Sequence, residues 1–399
     1  MKFTSPLLIV VILLISGCNL NRNLNGTASA GMGKLVQSSI SGEPKSDTKE
    51  ARLIAVGDIL MHMALTRSGY NPQKKAYTFN HFFKKVTDIT SSGDWAIANL
   101  ETPVAGPELG YSEYPRFNAP AEIVDAAKNA GFNVLTTANN HALDKGEKGV
   151  LNTIKNIRSR GVASVGTAAS AKDAEQLLII NKNNISMAIL SYTYGTNGIP
   201  IPRGKDYLVS LIDKGKIVRD IAKARKQGAD VVTICLHFGE EYQRQPNAQQ
   251  KQLVKSLIEA GADIILGSHP HVVQPYEIFK LKGKDGKPRT GVAIYSMGNF
   301  IAYQVGKYKD LGVIFEVNIR KRFPEGTIEI TEVEAIPTWT HIYRLNNKLN
   351  FRVLPIEAIL TSKNDPLLPA TKYPVLEKQL REMKSHLESL TVPQATRLR

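Results

Sequence analysis

The chain has 399 residues, 42% hydrophobic and 7% aromatic, with a formal charge of +15 from 51 basic and 36 acidic residues. This is globular composition, long enough for one large domain or two small ones, and it excludes a mainly disordered chain. The charge favours anionic partners: acidic polymers, anionic lipid headgroups or nucleic acid. No motif for reading RNA or DNA accompanies it, nor a basic stripe interleaved with aromatics, so we expect no nucleic-acid partner.

The first element is "MKFTSPLLIVVILLISGC": one lysine, an apolar run, then small residues before Cys18. That is the layout of a secretory signal, too short for a membrane span. Ile15 to Cys18 resembles a bacterial lipobox, which predicts a lipoprotein signal peptide over residues 1–17 and lipidation of Cys18. A signal anchor with an incidental cysteine is the alternative. Lipid would hold the chain at the extracytoplasmic face of a bacterial cell membrane. Residues 18–51 are rich in Asn, Ser, Gly and Lys without apolar period, and read as a disordered tether. Cys235 is then left without a partner, inside the apolar run "DVVTICLHF", as a buried thiol.

Folded sequence is expected from Arg52, with a main domain over 52–340 and a C-terminal extension over 341–399. "RLIAV", "WAIAN", "NVLTTA", "DVVTIC" and "DIILG" are short, apolar and β-rich, as strands covered on both faces would be. Helix candidates lie between them: "TFNHFFKKVTDITSS", "PAEIVDAAKNAG", "EKGVLNTIKNIRSRG", "KGKIVRDIAKARKQG" and "NAQQKQLVKSLIEAG". Hairpins follow, turning at an Asn-rich stretch (residues 181–184), at Asp285-Gly286 and at Pro324-Glu325-Gly326. "PVLEKQLREMKSHLESL" is an amphipathic helix. The alternation argues an α/β fold with helical crossovers.

Each central strand runs directly into polar residues. They are Asp58 then His62; Asn99 and Glu101; Asn140, His141 and Asp144; His237 then Glu240 and Glu241; His269 and His271; and Asn299. In a mostly parallel sheet the carboxyl ends of strands share one edge, where ligands bind. Six such clusters together point to one site, and His, Asp, Glu and Asn suit borderline divalent metals. Asp94, Asp230 and Asp263 precede strands and so belong to the opposite edge, as turn residues. His81 falls within a helix candidate. Pro270 fixes its own φ and predicts an extended path for Ser268-His269.

The ordered set "VGDILMH", "ANLETPV", "FNAPAEIVDA", "ANNHALDKG", "YTYGTNG", "HFGEEYQRQPNAQQ", "GSHPHVVQP" and "YSMGNF", from Val56 to Phe300, resembles the CapA-like capsule synthesis (poly-γ-glutamate biosynthesis) family of the calcineurin-like metallophosphatase superfamily. The resemblance implies a sandwich of β-sheets flanked by helices, with a centre for two divalent ions (Mn, Fe or Zn) at the strand ends. It implies Asp58, Glu101 and His271 as ligands of one ion, and Glu101, Asn140, His237 and His269 as ligands of the other. His141 would be the general acid or the electrostatic partner of the leaving group. His62, Asn99, Asp144, Glu240 and Asn299 are further candidates for metal or substrate, and Arg116 and Arg203 for an anionic substrate.

Two departures stand out. The phosphatase motif Asp-x-His has Leu60 in place of its histidine, and Glu101 replaces the bridging aspartate. The function implied is a lipid-anchored protein using a metal site to synthesise, process or export an anionic surface polymer such as poly-γ-glutamate, alongside synthase or export proteins. A general envelope phosphoesterase and a non-catalytic scaffold of a polymer synthase are the alternatives.

Overall fold

A computed structural model of the chain describes residues 47–283 and 286–390. The expected signal peptide, Cys18, most of the expected tether and Asp285 of the second hairpin turn lie outside the described residues. In chain order the strands are β1 (Asp47–Ile59), β2 (Tyr70–Asn71), β3 (Ala76–Tyr77), β4 (Trp95–Leu100), β5 (Val134–Thr136), β6 (Ala163–Val165), β7 (Leu178–Lys182), β8 (Ile185–Thr193), β9 (Val231–His237), β10 (Ile264–Ser268), β11 (Val273–Lys282), β12 (Pro288–Met297), β13 (Asn299–Ile301), β14 (Leu311–Phe323), β15 (Thr327–Leu345) and β16 (Lys348–Pro355). The α-helices are α1 (Met63–Gly69), α2 (Asn80–Phe83), α3 (Thr87–Thr90), α4 (Glu122–Asn129), α5 (Gly146–Arg158), α6 (Ala171–Ala174), α7 (Lys214–Lys226), α8 (Ala248–Ala260), α9 (Ile356–Ser362) and α10 (Tyr373–Leu387).

Two large sheets form, in the orders β16-β15-β14-β1-β4-β5-β6, with β13 beside β1, and β11-β12-β10-β9-β8-β7, and β2 and β3 make a small antiparallel pair of their own. Strands β1, β4, β5 and β6 run parallel, as do β8, β9, β10 and β12. Alternation along each strand explains the unbroken apolar runs. Leu53 and Ala55 of β1 face the core between the sheets, together with Val231 and Cys235 of β9. Ile54 and Val56 face the other way, onto Phe82, Phe83, Ile123 and Val124 of the helices. Val232, Ile234 and Leu236 pack on Ile217 and Ile221 of α7 and Val254 and Leu257 of α8. With both faces covered, no position along these strands has to be polar. The result is an α/β sandwich of two sheets flanked by helices.

Three boundaries differ from the sequence reading. β1 starts at Asp47, pairing with Phe323 at the far end of β14, so the first five residues before Arg52 are strand rather than tether. The long β14 partner supplies the ladder that their polar composition conceals. Residues 341–399 are not an appendage as far as Leu390. β15 runs through residue 341 and β16 extends the sheet. Ile359 of α9 and Leu376, Met383 and Leu387 of α10 join the core between the sheets. Finally, "TFNHFFKKVTDITSS" forms two four-residue helices, not one. The hydroxyls of Thr87 and Thr90 donate to the carbonyls of Phe83 and Val86, and Thr90 also to Ala130. Such back-bonding competes with continuous helix.

The aspartates that precede strands do turn work. Asp94 accepts from Arg52 N–H and Asp230 from Ser186 N–H. Buried Asp263 accepts from Val232 N–H and is paired with Arg225 and Arg289. Among the described residues, no helix is long and apolar enough to cross a membrane.

Candidate metal centre

Parallel pairing sets the carboxyl ends of the strands side by side. Asp58 is in register with Asn99, His237 with Ser268, and Thr193 with His237. Glycines allow the closest approaches. A Cβ at Gly57 would lie 1.8 Å from the Gly298 carbonyl oxygen, and one at Gly267 would lie 1.9 Å from that of Tyr295.

Six buried side chains converge at this edge. Glu101, His237 and His269 offer ligand atoms that all lie within 4.8 Å of one another, and so do Asp58, Glu101 and His271. Glu101 belongs to both sets, one oxygen 3.3 Å from His237 Nε2 and the other 3.7 Å from His271 Nδ1. Asn140 Oδ1 lies 2.7 Å from His237 Nε2, which places it with the first set. Asp58 Oδ2 is 3.3 Å from His271 Nδ1, and Asp58 Oδ1 accepts from Asn99 Nδ2 at 2.7 Å. The same Asn99 nitrogen lies 3.3 Å from His237 Nδ1, so Asn99 ties the two sets together from behind.

The electrostatics carry an unmet requirement. Asp58 Oδ2, both Glu101 oxygens and His269 Nδ1 are buried without a hydrogen-bond partner. Burial, with the neighbouring Asp58 carboxylate, holds Glu101 well above the ordinary carboxyl range. Burial and the adjacent imidazoles push His237 well below the usual value and His269 down to about 4. The protein alone thus favours the neutral form of groups it has buried at some cost. A cation reverses that balance for carboxylates and neutral imidazoles together, and this donor set suits Mn, Fe or Zn. The residues present fit a divalent metal.

The turn after β10 departs from expectation. His269 has φ +101° and His271 +57°, so the residue before Pro270 is not extended. Both imidazoles must swing inward from one short turn, and left-handed backbone at two non-glycine residues does this. Such strain costs about 1–3 kcal/mol per residue and is held by the frame around it. The Pro270 carbonyl accepts from Tyr242 N–H at 2.8 Å, fixing the turn to the loop after β9.

His141 and Asp144 stand apart from both ligand sets. His141 Nδ1 lies 2.8 Å from Asp144 Oδ2, and Phe117 packs edge-on to the imidazole at 4.7 Å. Asp144 is therefore placed on His141 rather than among the ion ligands. His62 also falls outside the ligand sets. It precedes α1, and its Nδ1 accepts from Tyr303 N–H at 3.2 Å. Glu240 is exposed and accepts from Asn247, away from the ligands, whereas Glu241 interacts electrostatically with Glu101 and His269. Both glutamates are exposed, and Gly239 between the strand end and them has φ +105°. Arg116 and Arg203 are exposed. Asn299 is buried beside His271.

Two tyrosines went unread in the sequence. Tyr194 lies 4.7 Å from the His269 ring and stacks on His237 at 6.5 Å, and Tyr242 lies 6.0 Å from His271. Both remain about half exposed, at 49% and 48%, so they wall the mouth of the site. The available signal was their position, each a few residues beyond a strand end in "YTYGTNG" and "HFGEEY".

A buried carboxylate and histidine cluster at the parallel strand ends of a two-sheet α/β sandwich defines a candidate metal-binding protein. Residues 52–304 match the family described as bacterial capsule synthesis protein PGA_cap, and the chain belongs to that family. It is 30% identical over 262 residues to "Capsule biosynthesis protein CapA" of Bacillus anthracis, covering 64% of this chain and 60% of that protein. It is 30% identical over 290 residues to "PGA biosynthesis protein CapA" of Bacillus subtilis strain 168, covering 71% and 72%. Among solved structures, one titled as a novel phosphatase of Mycoplasma pneumoniae is similar at 14% identity and TM-score 0.44, covering 73% of this chain and 94% of that one.

Proposed function

We propose that the chain uses a two-ion centre to process or transfer an anionic surface polymer, poly-γ-glutamate by family, at the outer face of the cell membrane. The observation that carries this reading is the convergence of unpartnered buried acceptors from Asp58, Glu101 and His269 on two ligand sets that share Glu101. Asp58, Glu101 and His271 would hold one ion, and Glu101, Asn140, His237 and His269 the other. When bound, such a pair clamps an oxyanion and makes a water nucleophilic at neutral pH.

The remaining chemistry belongs to the chain. Asp144 orients the His141 ring, which leaves Nε2 to hold or deliver a proton at a leaving group. Tyr194 and Tyr242 exclude water from the ligands on either side. The net charge of +15 draws a polyanion toward the chain. The apolar leader and Ser16-Gly17-Cys18 support a lipid anchor.

The test is metal content of the full chain, followed by turnover on poly-γ-glutamate and on aryl phosphates. A chain that carries no metal and cannot be loaded sinks the enzyme reading. Turnover confined to aryl phosphates would instead make it a phosphoesterase. Normal capsule in cells carrying a metal-free ligand variant would make it a scaffold. Cys18→Ser should release the chain from the membrane fraction, and retention there would rule out the lipid.

A further inference from the structure

We propose that the Asn299 side-chain oxygen is a direct ligand of the ion assigned to Asp58, Glu101 and His271, filling the place that Leu60 cannot. The inference rests on the two-ion reading above and concerns only the composition of one of its sites. Leu60 is buried against Phe117 and Ala302 and carries no donor atom. His62, the next histidine along, accepts at its Nδ1 from Tyr303 N–H and lies outside both ligand sets.

Asn299 reaches the site through the fold. It opens β13, which leaves the second sheet after β12 and pairs in parallel with β1, putting Asn299 directly opposite Asp58. The crossing is tight because Gly57 and Gly298 lack side chains, and Asp58 N–H donates to the Gly298 carbonyl at 3.0 Å.

The amide of Asn299 can face only one way. Its nitrogen lies 2.8 Å from the Lys309 carbonyl, 3.1 Å from Gln304 Oε1 and 3.3 Å from the His271 carbonyl. Those are three acceptors, so the nitrogen, with its two hydrogens, belongs on that side. Oδ1 is thereby aimed at His271 Nδ1, 3.1 Å away.

That imidazole nitrogen is surrounded by acceptors. Besides Asn299 Oδ1 it faces Asp58 Oδ2 at 3.3 Å and Glu101 Oε2 at 3.7 Å. A single N–H proton satisfies one oxygen and leaves the others unmet, and neither of those carboxylate oxygens has a hydrogen bond elsewhere. Three buried oxygens gathered about one buried nitrogen are the kind of donors a cation takes. Donor atoms that share an ion at about 2.1 Å lie about 3.0–3.4 Å apart, the spacing seen for Asn299 and Asp58 about this nitrogen.

The test loads the full chain with Mn²⁺ and compares it with Asn299→Leu and Asn299→Asp. Wild type should bind two ions per chain and give the spin-coupled signal of a manganese pair. Asn299→Leu should lose at least tenfold in affinity at the weaker site and show an isolated ion instead. Asn299→Asp supplies an oxygen at the same place and should keep both ions and the coupled signal, and its loss of the second ion overturns the proposal. A Mn²⁺-loaded crystal structure separates ligation from orientation of His271. Oδ1 within about 2.4 Å of the ion supports the proposal, and an ion beyond hydrogen-bonding reach of Oδ1 overturns it. Two ions held by Asn299→Leu with unchanged affinity would overturn this inference alone. A wild-type chain that holds at most one ion would overturn it together with the two-ion reading.

Discussion

His141 Nδ1 and Asp144 Oδ2 lie 2.8 Å apart in a buried pair, and the same carboxylate oxygen accepts from Phe117 N–H at 2.6 Å. The carboxylate cannot donate, so Nδ1 must carry the proton, and Nε2 is left free to act on a substrate. Neither residue is in a ligand set, although His141 directly follows Asn140 and acts electrostatically on His237 and His269.

His141→Ala should therefore abolish turnover while both ions stay bound. Asp144→Asn offers an amide in place of the acceptor and disturbs the tautomer; turnover should fall by about 10²–10⁴-fold with metal content unchanged. Metal analysis beside kinetics checks both. Unchanged turnover in His141→Ala would remove the assignment of that residue.

Proton release on metal binding is the second prediction. Glu101 keeps its proton to higher pH than an ordinary carboxyl because it is buried beside Asp58. Ion binding needs the carboxylate, so loading expels that proton, and affinity should rise with pH until the raised value is passed. His269, held down to about 4, is already neutral above that pH and releases little. Calorimetry in buffers of different ionisation enthalpy measures the release; flat affinity between about pH 5 and 8 would contradict it. Because Glu101 serves both ligand sets, Glu101→Gln should weaken both ions by about 100-fold or more.

Among the groups of the metal-free centre, the lowered histidines lose stability on acidification, and Glu101, with its raised value, opposes them. An unfolded histidine takes a proton near pH 6.5, while His269 in the fold resists until about 4. Between those values the unfolded state holds more protons, so stability falls as pH falls. The melting temperature of chelator-treated protein should drop across that window, and bound metal, whose affinity also weakens as pH falls, should raise the melting temperature while steepening the fall. A melting temperature independent of pH from 7 to 4.5 would refute the linkage.

How much of this was readable depends on the element. Strand ends such as Asp58, His237 and His269 were legible because both-face burial leaves apolar runs, and a polar residue just past such a run marks the functional edge. Glu240 against Glu241 was not legible, since adjacent glutamates in a loop carry no pattern that says which one acts on Glu101 and His269. Nor was the strand over residues 47–51, whose pairing partner lies some 270 positions away in β14. The inward swing of His269 and His271 opposed the local preference before Pro270, because the site imposes it from outside the tripeptide. Tyr194 and Tyr242 carry no periodic signal, being loop residues placed by tertiary packing.

The C-terminal helix gives a stability prediction. Met383 is fully buried in the core between the sheets, although its helix follows the last strand by a long connection. Met383→Ala should cost about 2–5 kcal/mol by deleting buried volume that the surrounding sheets cannot fill. Chemical denaturation checks this. A cost near zero would mean that α10 is dispensable, as a free extension would be.

The tightest test of the architecture is Gly57→Ala. Its new methyl would stand 1.8 Å from the Gly298 carbonyl oxygen, an atom fixed by its hydrogen bond from Asp58 N–H. No rotamer relieves a clash made by Cβ itself, so β1 and β13 must separate. Separation moves Asp58 away from Asn299, its partner in register. Overpacking of this kind costs about 1–3 kcal/mol or more. The expected result is a lowered melting temperature together with weaker binding of the ion held by Asp58, and little change at the set built on His237 and His269. Gly204→Ala, at a turn where a Cβ meets nothing within 4 Å, serves as the control for a substitution that strains backbone without crowding. If Gly57→Ala binds both ions as wild type does, the close approach of β1 and β13 is not what positions Asp58.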